Sequence, residues 1–244
     1  MTSTSSYPPA NQDSLLLSLP VELQAHILQN CDYFTLKQLQ SLCKSVKRLL
    51  GDVMFDRILF RSTLRPLSQD ELRVLAQGSG PDSTPVIRLH PAMQESRWCV
   101  RDESRSISLF SSAERSEGQK HFDLEELDAR NESVSCPAIN RVQVIIQRYR
   151  VHDDYNVLMH KDSSIVEHED TEANTNRIVT IEELARTLSQ LQTRWQTQFS
   201  AWGNLQVRNV LPFPDGTEKI SLSLLPNGSV VVTLDIFEHI FDEE

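Results

Sequence analysis

No stretch of this 244-residue chain approaches the roughly 20 consecutive apolar residues that a helix needs to cross a bilayer. The opening segment, Met1 to Asp13, is rich in Ser, Thr and Pro and lacks the basic start and apolar centre of a secretory signal. A soluble, intracellular protein of the cytoplasm and/or nucleus is expected, and the two Asn-x-Ser sequons at Asn131 and Asn227 then carry no weight. Glycine is scarce, with seven residues, and no Walker loop, dinucleotide fingerprint, G-x-S-x-G elbow or H-E-x-x-H occurs. Cysteine is scarce too. Cys31, Cys43, Cys99 and Cys136 lie far apart with no C-x-x-C pair, which excludes a zinc module of ordinary spacing and leaves reduced thiols as the expectation. Positive charge is also short: the net charge is −10, and since residues 1–65 hold seven Lys/Arg against five Asp/Glu, the remainder carries −12. Nucleic-acid binding needs clustered cations, and the one modest cluster, Lys44, Lys47 and Arg48, reads as a solvated helix face.

What the chain does have is a cluster of short amphipathic helices near its start. Pro20, with its fixed φ and missing N–H, suits the first position of a helix, and Leu23, Ile27 and Leu28 give it an apolar stripe ending near Asn30. Thr35 and Gln38 are spaced as a capping box, and Leu36, Leu39, Leu42, Cys43, Val46, Leu49 and Leu50 then recur at three-four spacing, which predicts one continuous helix stopped by Gly51. A third short helix from Asp52 is predicted to turn Met54, Phe55, Ile58 and Leu59 inward. Three such helices in about 45 residues cannot cover all of this apolar surface among themselves. Either the rest of the chain or another protein covers it.

The string Leu19-Pro20-Val21-Glu22-Leu23, then Ile27-Leu28, Leu36, Leu39, Leu42-Cys43-Lys44, Arg48-Leu49 and Phe55-Asp56-Arg57-Ile58-Leu59-Phe60 resembles the F-box in order and spacing over about a fifth of the chain. It departs from that pattern where Asp32-Tyr33-Phe34 stands for a common Pro, Leu42 for a Val and Phe55 for a late Trp; each apolar swap keeps its character. The resemblance implies a non-catalytic substrate adaptor of a Skp-cullin-F-box ubiquitin ligase. A Skp-type adaptor would bind the module and bring the cullin, while the following domain would capture an unknown protein substrate. The adaptor-facing residues it implies are Leu19, Pro20, Leu23, Ile27, Leu28, Leu36, Leu39, Leu42, Cys43, Val46 and Leu49.

A leader is expected over 1–14, the F-box over 15–60, a helix and linker over 61–85, and a substrate-recruiting α+β domain over 86–244. Ser68 with Glu71 is a second capping box, opening a helix with Leu72, Leu75 and Ala76, and Gln77 to Pro85 is the clearest linker. Strands are predicted at 86–89, 97–100 and 106–110, with a polar loop from Ser111 to Lys120. A hairpin follows through 142–151 and 156–160, then an acidic mobile loop at 161–177 holding Glu167, Glu169, Asp170 and Glu172. Thr180 and Glu183 cap the longest helix, striped by Ile181, Leu184, Leu188, Leu191, Trp195 and Phe199. A meander is expected to close the chain, with strands at 205–211, 220–225 and 230–237 and turns at 214–216 and 226–228. The expected fold is α+β, an antiparallel sheet with the long helix against one face. Leu89-His90-Pro91, Val134-Ser135-Cys136-Pro137-Ala138-Ile139 and Ile178-Val179-Thr180-Ile181-Glu182-Glu183-Leu184 together resemble an uncharacterised domain of fungal proteins, which implies fungal origin and no known activity.

Little here points to chemistry. His152, His160 and His168 recur every eight residues beside Asp153, Asp154, Asp162 and Glu169, which could suggest a metal site, but that spacing has no mechanical meaning on a strand or a helix comparable to H-x-x-x-H. Cys136 as a ubiquitin-accepting nucleophile lacks a nearby histidine, so a packing role is favoured, and no cofactor or metal is expected. The alternative is an enzyme or metal-binding domain at 86–244, with the N-terminal helices serving only as packing. It predicts a metal lost on His160→Ala or an activity dependent on Cys136. Under the adaptor reading, the sheet face and the acidic loop are the candidate substrate contacts.

Overall fold

The computed structural model describes residues 15–61, 65–78, 87–94, 96–100, 107–111, 121–123, 128–151, 156–168, 177–200 and 219–239. The chain divides into two compact units, Met1–Leu59 and Phe60–Glu244.

In the first unit a short turn, α1 (Leu15–Ser18), precedes α2 (Val21–Gln29), which has Pro20 at its N-cap and Asn30 at its C-cap. The next helix, α3 (Tyr33–Leu42), starts two residues before the expected capping box. Its cap is Asp32, whose side chain accepts from the Thr35 backbone N–H at 2.9 Å and from the Thr35 hydroxyl at 2.7 Å. The single long helix expected here is two, because Cys43 is extended (φ −137, ψ 119) and α4 (Lys44–Leu49) starts after it. An unbroken three-four stripe does not register such a break, since the residues on either side can both reach the core. A 3₁₀ turn, Val53–Phe55, is capped by the Asp52 side chain, which accepts from the Met54 N–H. Leu28, Leu36, Val46, Leu50, Phe55 and Leu59 fill the interior. Met54, expected inward, is exposed, and its sulfur accepts from Gln29 Nε2 at 3.4 Å. The period of three in a 3₁₀ turn aims it away from the face that a helical period assigns.

The second unit opens on α5 (Gln69–Gly78), whose Ser68–Glu71 capping box is fully formed: the Ser68 N–H and hydroxyl donate to Glu71 Oε2, and the Glu71 N–H donates to Ser68 Oγ. Strand β1 (Arg88–Leu89) leads to α6 (Pro91–Gln94), and β2 (Ser96–Val100), β3 (Ile107–Ser111) and β4 (His121–Asp123) form an antiparallel sheet in that order. A 3₁₀ turn (Asp128–Asn131) precedes β5 (Ser135–Cys136), which pairs antiparallel with β1. The expected linker from 79, the polar loop beyond Ser111 and the strand at 205–211 lie outside the described residues.

The central sheet is built from β6 (Arg141–Val151), β7 (Asn156–Glu167), β8 (Lys219–Leu224) and β9 (Val230–His239) in the order β7-β6-β9-β8. Two corrections arise here. The sheet is mixed, because β9 runs parallel to β6, Val144 opposite Val232, although β6/β7 and β8/β9 are antiparallel hairpins. The hairpins were legible locally; which hairpin lies beside which is settled by α7 (Ile181–Ser200) between them. The second correction concerns 161–177: residues 161–167 are strand, each paired with β6, and 169–176 lie outside the described residues. Their polar side chains fit an edge strand, where Lys161, Ser163 and Glu167 face solvent and Asp162 reaches Arg194 of α7 at 3.7 Å. Val142, Val144 and Ile146 of β6 and Val232, Leu234 and Ile236 of β9 share one buried core with Ile181, Leu184, Leu188 and Leu191 of α7. Phe199 lies outside the residues whose side chains are described.

Candidate functional site

Helix α2 buries Ala25 and Leu28 and points Leu23 and Ile27 the other way, one turn apart on its solvent side. Leu23 is 51% exposed, Ile27 44%, and Leu42, the last residue of α3, 80%. An isolated exposed leucine is ordinary, whereas several exposed apolar side chains fall on this one short unit. Leu19, Leu39, Cys43 and Leu49 are half-buried and Pro20 is exposed, whereas Leu28, Leu36 and Val46, grouped with them by the resemblance, are buried. Sequence reading missed Leu15, Leu17, Val21 and Val53, all exposed apolar side chains of the same unit. Val21, directly after the N-cap Pro20, was legible as a residue outside the stripe; Val53 sits in the 3₁₀ turn, where helical periodicity carries no signal.

The supports of this surface are polar. The Thr35 N–H, and after it the Thr35 hydroxyl, hold the Asp32 carboxyl below its usual range and so fix the start of α3. Gln24 Nε2 donates to the Leu19 carbonyl at 2.8 Å and ties the entry of α2 to the helix itself. Lys44, Lys47 and Arg48 are exposed along α4, as the charge pattern implied.

Among the described residues of the second unit, those singled out for chemistry do not converge. His152 lies outside the described residues, His160 is half-buried on β7, and His168 donates or accepts through Nε2 at 3.0 Å from Glu183 Oε2. Among the described residues no group of three or more His, Cys, Asp or Glu side chains is placed to hold a metal ion. Cys136 is buried in β5 and is a free thiol. His90, noted in the sequence only within the Leu89-His90-Pro91 motif, is fully buried: the Ala92 N–H donates to Nδ1, which leaves the proton on Nε2, 3.1 Å from Glu132 Oε2. With both ring nitrogens engaged and a Phe60 ring 4.6 Å away, His90 builds the start of α6 and is not poised as a base. Arg148, also buried, lies 3.6 Å under the Trp195 ring. No helix among the described residues is long and apolar enough to cross a membrane.

No curated protein and no solved structure matches this chain. Residues 16–58 match the family model of the F-box domain, and they span the described helices of the first unit together with Leu23, Ile27 and Leu42. The chain therefore carries an F-box domain and is an F-box protein.

Proposed function

We propose that this protein is a substrate adaptor of a Skp-cullin-F-box ubiquitin ligase, acting in the cytoplasm and/or nucleus and doing no bond chemistry of its own. The observation that carries the reading is the coincidence of the F-box match at 16–58 with the exposed apolar side chains Leu23, Ile27 and Leu42 in the same segment. These three are the anchors of the Skp-type adaptor. Leu19, Pro20, Leu39, Cys43 and Leu49 border them, while Leu28, Leu36 and Val46 hold the helices in place from behind. Such interfaces draw most of their affinity from a few well-buried apolar anchors, so the exposed leucines dominate. The second unit presents the substrate.

The test is co-purification of full-length protein from cells, wild type beside the Leu23→Asp/Ile27→Asp double variant. A Skp-type adaptor and a cullin are expected with the wild type and lost from the variant, which keeps its fold because both positions face solvent. An adaptor retained by the variant would place the interface elsewhere. Its absence from both would sink the ligase reading.

A further inference from the structure

We propose that the protein pairs with a second copy of itself along β7, the two β7 strands running antiparallel so that their four-stranded sheets become one. β7 is the outermost strand in the order β7-β6-β9-β8, and among the described residues no strand pairs with its outer edge. An open edge presents N–H and C=O groups that a further strand satisfies, and chains that avoid this outcome use a proline, a bulge, an inward charge or an edge lysine, of which β7 carries Lys161. β7 contains no proline. Its register irregularity against β6 lies between Arg148 and Tyr149, which leaves Lys161 to Glu167 in regular pairing. The inward charge, Asp162, is met within its own chain by Arg194 at 3.7 Å and by the Ser163 N–H, which donates to its Oδ1 at 2.7 Å, a local bond that the second copy's strand would have to replace.

The charge pattern on this edge identifies the partner as a second copy. Asp162, Ser164 and Val166 lie opposite Ile146, Val144 and Val142 and share their core-facing side, so Lys161, Ser163, Ile165 and Glu167 occupy the other face of the sheet. When two β7 strands meet with Ser164 facing the second copy's Ser164, Lys161 stands opposite the second copy's Glu167, and the same pair recurs on the other side of the two-fold axis. Ser163 then stands opposite Ile165, twice, covering an isoleucine that is 53% exposed in the single chain. Centring the pairing on Asp162 or Ser163 instead sets Lys161 against Ser163 or Ile165 and loses both charge pairs. Glu167 already binds Arg141 of its own chain at 3.1 Å, so each meeting point becomes an Arg–Glu–Lys row across three strands. Backbone hydrogen bonds supply the attraction, and the charges fix the register. The contact is self-complementary, as a two-fold interface requires.

Sedimentation velocity of the full-length protein over a concentration series tests this, with circular dichroism as the check on folding. Wild type is expected at twice the chain mass. K161E alone and E167K alone each set like charges against each other at both meeting points, and each is expected to weaken the dimer at least about tenfold. An equimolar mixture of the two variants restores both attractive pairs and is expected to dimerise again, which also shows that neither variant has simply misfolded. A wild type that stays at the chain mass overturns the proposal, as does a dimer indifferent to both substitutions. Co-purification of a foreign polypeptide at one copy per chain, displaced by neither variant, would also overturn it and identify the edge as a site of strand capture.

Discussion

Nε2 of His168 lies 3.0 Å from Oε2 of Glu183, so the residue that follows β7 is fastened to the first turn of α7. The same carboxylate accepts from the Thr180 N–H at 3.0 Å and from its hydroxyl, while its other oxygen meets Arg177 at 3.3 Å. One side chain thereby caps the longest helix and closes the connection that lays β8 and β9 beside β6.

Glu183 accordingly gives the second unit a defined acid sensitivity. Burial of its carboxyl favours the neutral form, but the Thr180 N–H, His168 and the Thr180 hydroxyl outweigh it, and the pKa is lowered. A carboxylate depressed by folding contributes stability above its unfolded pKa, about 4.3, and that contribution is lost as pH falls through the lower folded value. Glu183→Gln is expected to lower stability at pH 7 by about 1 kcal/mol and to remove this part of the acid dependence. Urea denaturation at pH 7 and at pH 3.5, wild type against variant, reads both; an unchanged gap between the two pH values would contradict the assignment.

Asp32 is the cap that the sequence reading placed at Thr35. Asp32→Ala is expected to cost about 1 kcal/mol in the F-box unit, and Asp32→Asn much less, because an asparagine oxygen still accepts from the Thr35 N–H. Thermal melts of the three proteins decide it. Thr35→Val, which removes only the hydroxyl bond, should fall between wild type and Asp32→Ala.

Gly228 cannot be replaced cheaply. Its φ is +81, and a Cβ there would come within 2.9 Å of the Arg73 nitrogen and 3.0 Å of the Gln69 carbonyl oxygen on α5. The Pro226-Asn227-Gly228 turn rests on that helix, with Gln69 Nε2 donating to the Asn227 carbonyl at 3.2 Å. Gly228→Ala is expected to cost about 2 kcal/mol or more. Chemical denaturation that showed a change below about 0.5 kcal/mol would mean α5 does not lie on the turn in solution.

The inner and outer leucines of the F-box unit are expected to separate cleanly. Leu36→Ala should destabilise the unit by about 2 to 5 kcal/mol, since the side chain is fully buried, whereas Leu42→Ala should leave stability nearly unchanged and weaken adaptor binding. Melting curves paired with titration of a purified Skp-type adaptor distinguish the two. Equal loss of stability in both variants would place Leu42 in the interior.

Much of the local structure was legible. The capping boxes Ser68–Glu71 and Thr180–Glu183 each start a helix where their spacing put one, because a cap is a contact between residues three apart and needs nothing from the rest of the chain. The Ile181, Leu184, Leu188, Leu191 and Trp195 stripe is buried as its spacing required. Misplaced features lie where two local rules compete. Asp32 and Thr35 both qualify as caps, and the helix takes the earlier one; Met54 obeys a period of three where a longer helix was assumed.

The sequence alone determined the helical F-box segment, the second unit's hairpins and the face that α7 buries, since caps, turns and hydrophobic period act over a few residues. Only the tertiary structure decided that Leu28, Leu36 and Val46 turn inward while Leu23, Ile27 and Leu42 turn out, that Lys161 to Glu167 extend β7, and that β9 lies parallel to β6. One stripe of leucines serves equally to pack a neighbouring helix or to receive a partner. The choice depends on where the neighbouring helices lie, and the spacing along the chain does not record it.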